Sequence, residues 1–242
     1  MDTREFLLMP KETWWRVRSI LTAVTWSVTA LVVWDQAFAQ QSEYRGRIGQ
    51  EGCQSISKRS GELGCWIMIN ATLGKLPPRS MFWHLDTYPT RAAAEAAKGP
   101  RGTVLESFGK VWLFTIDDAG WRPSGSVRVA EIGPLTLSSV AEYTARYMEA
   151  IFTPGMTSSV HRHPGPEVWY TLTGETCLET SEGRTVGRAG GQHVIVPGGL
   201  PMHLTATGTD IRRALVLILY DSSQPAATPA NDWIPKGLCN NP

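Results

Sequence analysis

The sequence predicts an all-β fold, with a β-sandwich or jelly-roll barrel in its C-terminal half and a mostly β region with one short helix before it. Two observations carry this prediction. Short alternating or apolar segments follow one another from residue 142 to residue 220, separated by turn residues such as Ser181-Glu182-Gly183. Residues 215–219 are apolar at every position, as expected of a strand that is buried on both faces. Strands at this spacing are typical of sandwiches and barrels.

The region before residue 140 contains the one predicted helix. Thr90 is a good N-cap for the Ala-rich segment 91–98, and Gly99 followed by Pro100 ends it. The remaining segments of this region are apolar and bounded by Gly, Pro or Asp, which favours strands. The predicted strands are 64–70, 80–88, 102–107, 110–117 and 127–132.

The second half begins with a long alternating strand at residues 142–153, which leads into Pro154-Gly155. Turn residues then separate a series of shorter strands. These predicted strands are 167–172, 176–180, 184–187, 193–196, 202–207 and 212–220.

The N-terminus has the features of a cleaved secretory signal. Basic residues precede an uncharged apolar run at 20–34, and Ala37-Phe38-Ala39 places small residues at the positions that signal peptidase reads. The run is shorter than the roughly 20 residues of a membrane-spanning helix. We therefore expect residues 1–39 to be a signal peptide, with an uncleaved anchor as the alternative. The mature protein is then periplasmic or secreted, with no membrane partner after cleavage.

Charge and motif content exclude several classes of function. The net charge is +1, and the longest basic run is Arg212-Arg213, so nucleic-acid binding has no electrostatic support. The sequence contains no Gly-x-Ser-x-Gly, no phosphate-binding loop and no dinucleotide fingerprint.

The strongest chemical signal is a pair of histidines followed by a carboxylate. His161 and His163 are one residue apart, so in an extended segment both imidazoles point to the same face. The Pro-Gly-Pro at 164–166 turns the chain and brings Glu167 back beside them. Two imidazoles and one carboxylate with open positions are the ligands of non-haem iron and related divalent metals. Alternation from Glu167 places Trp169 on the same side, as a pocket wall or as core packing.

This segment resembles the first motif of the cupin superfamily: Gly, five residues, His-x-His, three or four residues, Glu, six residues and Gly. The chain matches it at Gly155, His161, His163, Glu167 and Gly174. The resemblance implies a double-stranded β-helix barrel that holds a divalent transition metal, with Fe, Mn, Ni, Cu and Zn all compatible with the ligand types.

The second cupin motif is matched in part, at Gly191 and at Pro197-Gly198-Gly199. Met202 occupies the expected ligand position, and His203 lies one residue later. One step along a strand reverses the direction of a side chain, so a β-bulge near residues 198–201 is needed to turn His203 inward. The alternative is a three-ligand site with Met202 lining the pocket. The predicted metal ligands are His161, His163, Glu167 and His203.

These patterns divide the chain into a signal peptide (1–39), a β-rich N-terminal region (40–139), a cupin barrel (140–222) and a C-terminal tail (223–242). Two architectures fit the N-terminal region. It is either a degenerate cupin half, with an empty second barrel, or an α+β appendage packed on a single barrel.

The four cysteines lie in the predicted mature part of the chain. An even number in an exported protein indicates two disulfides. Of the three pairings that are possible, we favour Cys53 with Cys65 and Cys177 with Cys239. Free buried thiols are the alternative.

The resemblance implies a metal-dependent enzyme, dioxygenase-like, that acts on a small oxygen-rich or aromatic molecule. The alternatives are a non-catalytic binding or sensing protein outside the cytoplasm and a metal store or scavenger. The expected partner is a small-molecule ligand, with homodimer formation as a further option. No catalytic residue stands out in the sequence.

Overall fold

The structure, a computed structural model, describes residues 52–139 and 141–240. The predicted signal peptide at 1–39 lies outside these residues. The all-β prediction is confirmed, because the described residues form strands throughout and one α-helix, α1 (Arg91–Ala97). The strands are β1 (Gln54–Ser55), β2 (Gly64–Gly74), β3 (Met81–Tyr88), β4 (Gly102–Ser107), β5 (Lys110–Asp117), β6 (Val127–Leu135), β7 (Tyr143–Phe152), β8 (His161–Arg162), β9 (Glu167–Thr173), β10 (Glu175–Thr180), β11 (Gly183–Arg188), β12 (Val194–Val196), β13 (Met202–Thr207), β14 (Arg212–Asp221) and β15 (Thr228–Pro229).

Three sheets build the fold. A six-stranded sheet has the order β1-β2-β7-β14-β9-β12, and a five-stranded sheet has the order β11-β10-β13-β8-β15. Strands that are neighbours in sequence, such as β8 and β9, alternate between these two sheets, which is the jelly-roll arrangement. The third sheet has four strands in the order β4-β5-β3-β6.

Strand β14 is covered on both faces, because the six-stranded sheet packs on the four-stranded sheet on one side and borders the cavity on the other. Its odd-numbered leucines belong to a core shared with the four-stranded sheet. Its even-numbered side chains Val216 and Ile218 line a cavity that the five-stranded sheet also borders. Burial on both faces therefore explains why residues 215–219 are apolar at every position, as predicted.

The described N-terminal strands from β3 to β6 form an open four-stranded sheet that packs on the barrel. Trp83 and Phe114 of this sheet lie 5.3 Å apart between ring centroids, and both contact Tyr147 of the barrel sheet. Strand β2, which falls within the predicted region 40–139, pairs with β7 inside the barrel sheet. Strand pairing and core packing therefore both cross residue 139.

Helix α1 begins where the sequence predicts it. The Thr90 hydroxyl accepts a hydrogen bond from the Ala93 amide at 3.2 Å, which satisfies one of the free amides of the first turn. Ala94 is fully buried in a small core with Leu113 of the four-stranded sheet. The helix ends at Ala97, because the next residue, Lys98, is extended.

Both favoured disulfides are present, Cys53–Cys65 and Cys177–Cys239. Two disulfides indicate an oxidising environment. The described residues contain no helix long and apolar enough to span a bilayer.

Candidate metal centre

The two histidines and the glutamate are positioned by a tight turn between the two barrel sheets. His161 opens β8 and Glu167 opens β9. Between them the backbone at Gly165 lies against the Leu219 carbonyl, so closely that a Cβ on this residue would overlap it. The Gly199 amide of the second motif donates a hydrogen bond of 2.8 Å to the His163 carbonyl and holds the turn from the other side.

Backbone carbonyls set the tautomer of both imidazoles. His161 Nδ1 lies 2.8 Å from the Ser159 carbonyl oxygen, and His163 Nδ1 lies 2.6 Å from that of Ala226. A carbonyl only accepts hydrogen bonds, so each Nδ1 is the donor and each neutral ring keeps a lone pair on Nε2. The two Nε2 atoms are 3.2 Å apart. Lone pairs at that distance repel unless a proton or a metal ion lies between them.

Glu167 completes the cluster. Its Oε1 is 3.5 Å from His163 Nε2, and the side chain is 5% exposed. Its Oε2 is buried without a hydrogen-bond partner among the described residues. A buried carboxylate oxygen without a partner is costly, and a bound cation would offset that cost.

Burial and mutual attraction act against each other in this cluster. Burial disfavours charge on both His163 and Glu167, but the attraction between the two outweighs it. The pKa of His163 is therefore raised, and the pKa of Glu167 is lowered. Burial, together with the neighbouring His163, lowers the pKa of His161. At neutral pH His161 is thus neutral and Glu167 is charged, which are the states that bind metal.

The three side chains fit a divalent transition metal. One ligand atom from each lies within 4.8 Å of the others. Two nitrogens that bind one ion at about 2.1 Å each are separated by about 3 Å, close to the spacing of the two Nε2 atoms. The donor set of two imidazoles and a carboxylate suits iron, manganese, nickel, copper or zinc.

His203 is not among the described side chains whose ligand atoms come together, so the four-ligand set stays a prediction. The pairing of β13 with β10 runs from Met202 to Thr207 without a register shift, and Met202 pairs with His161 across β8. Met202 therefore shares a face with His161, whereas His203 pairs with Glu179 on the outer face. Within Met202–Thr207 no register shift turns His203 to the face of Met202.

The cluster opens into a barrel cavity of about 640 Å³, a usual size for a small-molecule site. Trp169 lines it, as alternation from Glu167 predicted. Two cavity residues, Arg146 and Arg212, were missed by sequence reasoning, although alternation along 212–218 would have placed Arg212 beside Val216. The carbonyl of Ala226, which orients His163, lies in the tail and has no sequence signal.

No protein-family model matches the sequence, and no curated protein sequence matches it significantly. Solved structures resemble part of it. A cupin 2 conserved barrel domain protein from Salinispora arenicola is 21% identical over 34% of this chain and 65% of its own, with a TM-score of 0.28. A DMSP lyase from Ruegeria pomeroyi is 23% identical over 36% of this chain and 43% of its own, with a TM-score of 0.31. An oxalate oxidase is 23% identical over 36% of this chain and 46% of its own, with a TM-score of 0.30. At these TM-scores the matches say nothing about substrate or reaction.

Proposed function

We propose that the C-terminal half of this chain is a cupin barrel that binds a divalent transition metal through His161, His163 and Glu167. It then acts outside the cytoplasm as a metal-dependent, dioxygenase-like enzyme on a small oxygen-rich or aromatic molecule. The observation that carries the proposal is the convergence of two Nε2 lone pairs with a buried carboxylate whose Oε2 has no hydrogen-bond partner in the described structure. Two disulfides and the N-terminal signal pattern support the location.

When bound, the metal would supply Lewis acidity or the activation of oxygen at the base of the cavity. The chain's own residues prepare the site for it. The carbonyls of Ser159 and Ala226 hold the imidazoles in the ligating tautomer, and Trp169 forms an apolar wall beside Glu167. Three protein ligands leave positions open for oxygen atoms of a ligand.

Metal content tests the first half of the proposal. The purified protein is reconstituted with each of iron, manganese, nickel, copper and zinc, dialysed and assayed for metal per chain. We expect about one ion per chain for at least one metal. His161→Ala and Glu167→Gln should each lower the affinity more than tenfold. His193→Ala should leave it unchanged, because His193 packs on Tyr170 outside the cluster. A protein without stoichiometric metal after reconstitution contradicts the proposal.

Oxygen uptake tests the second half. The loaded protein is assayed in an oxygen electrode with a panel of polyphenols, with the Glu167→Gln protein as the matched control. Uptake that depends on Glu167 supports a dioxygenase-like enzyme.

A second candidate is a non-catalytic protein that binds or senses a small molecule. The three-ligand site favours it, since Met202 and not His203 shares the face of His161. This candidate is supported if the protein binds about one metal ion per chain and shows no oxygen uptake with any polyphenol.

A further inference from the structure

Arg212 is a fully buried cation on the wall of the barrel cavity. It begins β14, and its side chain has an exposed fraction of 0%. It lies on the same face of β14 as Val216 and Ile218, which also line the cavity. Arg212 and the metal cluster therefore line the same cavity.

The guanidinium is held on three sides. Its Nε donates a hydrogen bond to the Thr176 hydroxyl. Its Cζ lies 5.1 Å from the ring centroid of Trp169 and 5.3 Å from that of Phe152, so the planar group is placed between two aromatic rings. Close packing of the Gly174 backbone on the Arg212 backbone, where a Cβ would come within 2.7 Å, fixes the start of the side chain.

The outer edge of the same group has no partner. Nη1 and Nη2 are buried and make no hydrogen bond within the described part of the chain. Burial lowers the pKa of Arg212 to about 10, and attraction to Glu167 opposes this change, so the group stays charged at neutral pH. A buried charge without an ion pair is costly to the fold. By contrast, its neighbour Arg213 forms an ordinary surface ion pair with Glu62.

The charges around the cavity point to an anionic ligand. Among the described residues that line it, Glu167 is the one carboxylate, whereas Arg146 and Arg212 are both cationic. A divalent ion at the cluster would add to this excess of positive charge. The Nη1–Nη2 edge of a guanidinium matches the two oxygens of a carboxylate.

We propose that Arg212 binds the carboxylate of a small organic acid that also carries a second carboxylate, hydroxyl or keto oxygen for the metal cluster. This inference rests on the proposed function for its second contact, the metal. Trp169 borders both subsites, because it stacks on Arg212 and is two residues from Glu167 on the same face of β9. One molecule can therefore reach the two subsites along this indole.

Isothermal titration of the zinc-loaded full chain tests the proposal, since zinc is redox-inert and prevents turnover. The probes are malonate, succinate and glutarate, with the corresponding diamides as uncharged controls. We expect at least one dicarboxylate to bind at least tenfold more tightly than its diamide. Arg212→Gln should weaken that binding at least tenfold without changing the zinc content. The adjacent Arg213→Gln should leave the binding unchanged.

Three results would overturn the proposal: no binding of any dicarboxylate, equal binding of diamides, or equal binding by a folded Arg212→Gln protein. Tighter binding of inorganic phosphate than of every dicarboxylate would overturn the carboxylate assignment. If Arg212→Gln does not fold, the relative affinity of the unchanged protein for dicarboxylates and diamides still tests whether the site requires an anion. Zinc binding without anion binding refutes this inference alone. If the protein takes up no metal but still binds anions through Arg212, the proposed function is refuted and the anion site is supported.

Discussion

The Nδ1 of His163 donates a hydrogen bond of 2.6 Å to the carbonyl of Ala226, 63 residues further along the chain. This bond connects the metal cluster to the C-terminal tail. The tail is in turn attached to the outer face of the five-stranded sheet by the Cys177–Cys239 disulfide. The orientation of one proposed ligand thus depends on a segment outside the barrel strands.

Removing the Cys177–Cys239 disulfide should therefore weaken both the fold and the metal site. A crosslink that closes a 62-residue separation contributes about 4 kcal/mol in the chain-entropy model. Loss of an orienting partner typically lowers metal affinity by about tenfold or more. We expect both effects in the Cys177→Ser/Cys239→Ser protein, measured by urea unfolding and by zinc titration. Zinc affinity equal to that of the unchanged protein would show that the tail does not orient His163.

His203→Ala should keep the metal. His203 pairs with Glu179 on the face of β13 opposite to Met202, and its ligand atoms are not part of the His161, His163 and Glu167 cluster. The metal content per chain of this variant should equal that of the unchanged protein. The control variant His161→Ala should lose most of its metal. A loss of metal in His203→Ala would mean that β13 takes a different register when the ion is bound.

His84 should make stability depend on pH. Its Nδ1 accepts a hydrogen bond from Arg128, and its Nε2–H donates one to the Asp118 carbonyl, so the folded protein holds a neutral ring. Burial, followed by the charge of Arg128, lowers the pKa of His84. The unfolded chain therefore takes up a proton near pH 6.5 while the folded chain does not. Stability from this group is present above about pH 6.5 and falls as the pH decreases, by at most about 1.4 kcal/mol per pH unit.

The measurement is urea unfolding from pH 7.5 to pH 5.5. His84→Asn should be less stable at pH 7.5, yet its free energy of unfolding should decline less steeply as the pH falls. Equal slopes for the two proteins would show that His84 is not the group responsible.

Gly165→Ala should destabilise the fold by about 2 kcal/mol or more, because the added Cβ overlaps the Leu219 carbonyl and forces the turn before Glu167 to move. Gly61→Ala is the control, since a Cβ there meets nothing within 4 Å, and it should change stability by less than about 0.5 kcal/mol. Urea unfolding of both variants gives the comparison. Equal stabilities would contradict the close approach.

The local alternation of apolar and polar residues was sufficient to predict most of the strands. Residues 102–107, 110–117 and 202–207 were predicted with the bounds that the structure has, because alternation and turn residues act within a few residues of each other. The same locality explains why His161, His163 and Glu167 were predicted to meet. The first and the last of them are six residues apart, and a single Pro-Gly-Pro turn brings them together.

Local sequence is enough for the strand pattern, for the meeting of His161, His163 and Glu167, and for the cysteines available for two crosslinks. Pairing between distant segments is needed to bring β2 into the barrel sheet, to set His203 on the face opposite to Met202, and to bring Arg212 and the Ala226 carbonyl to the site. Register and sheet membership depend on pairing between segments many residues apart, and a shift of one residue, as between Met202 and His203, reverses the face without changing the local pattern.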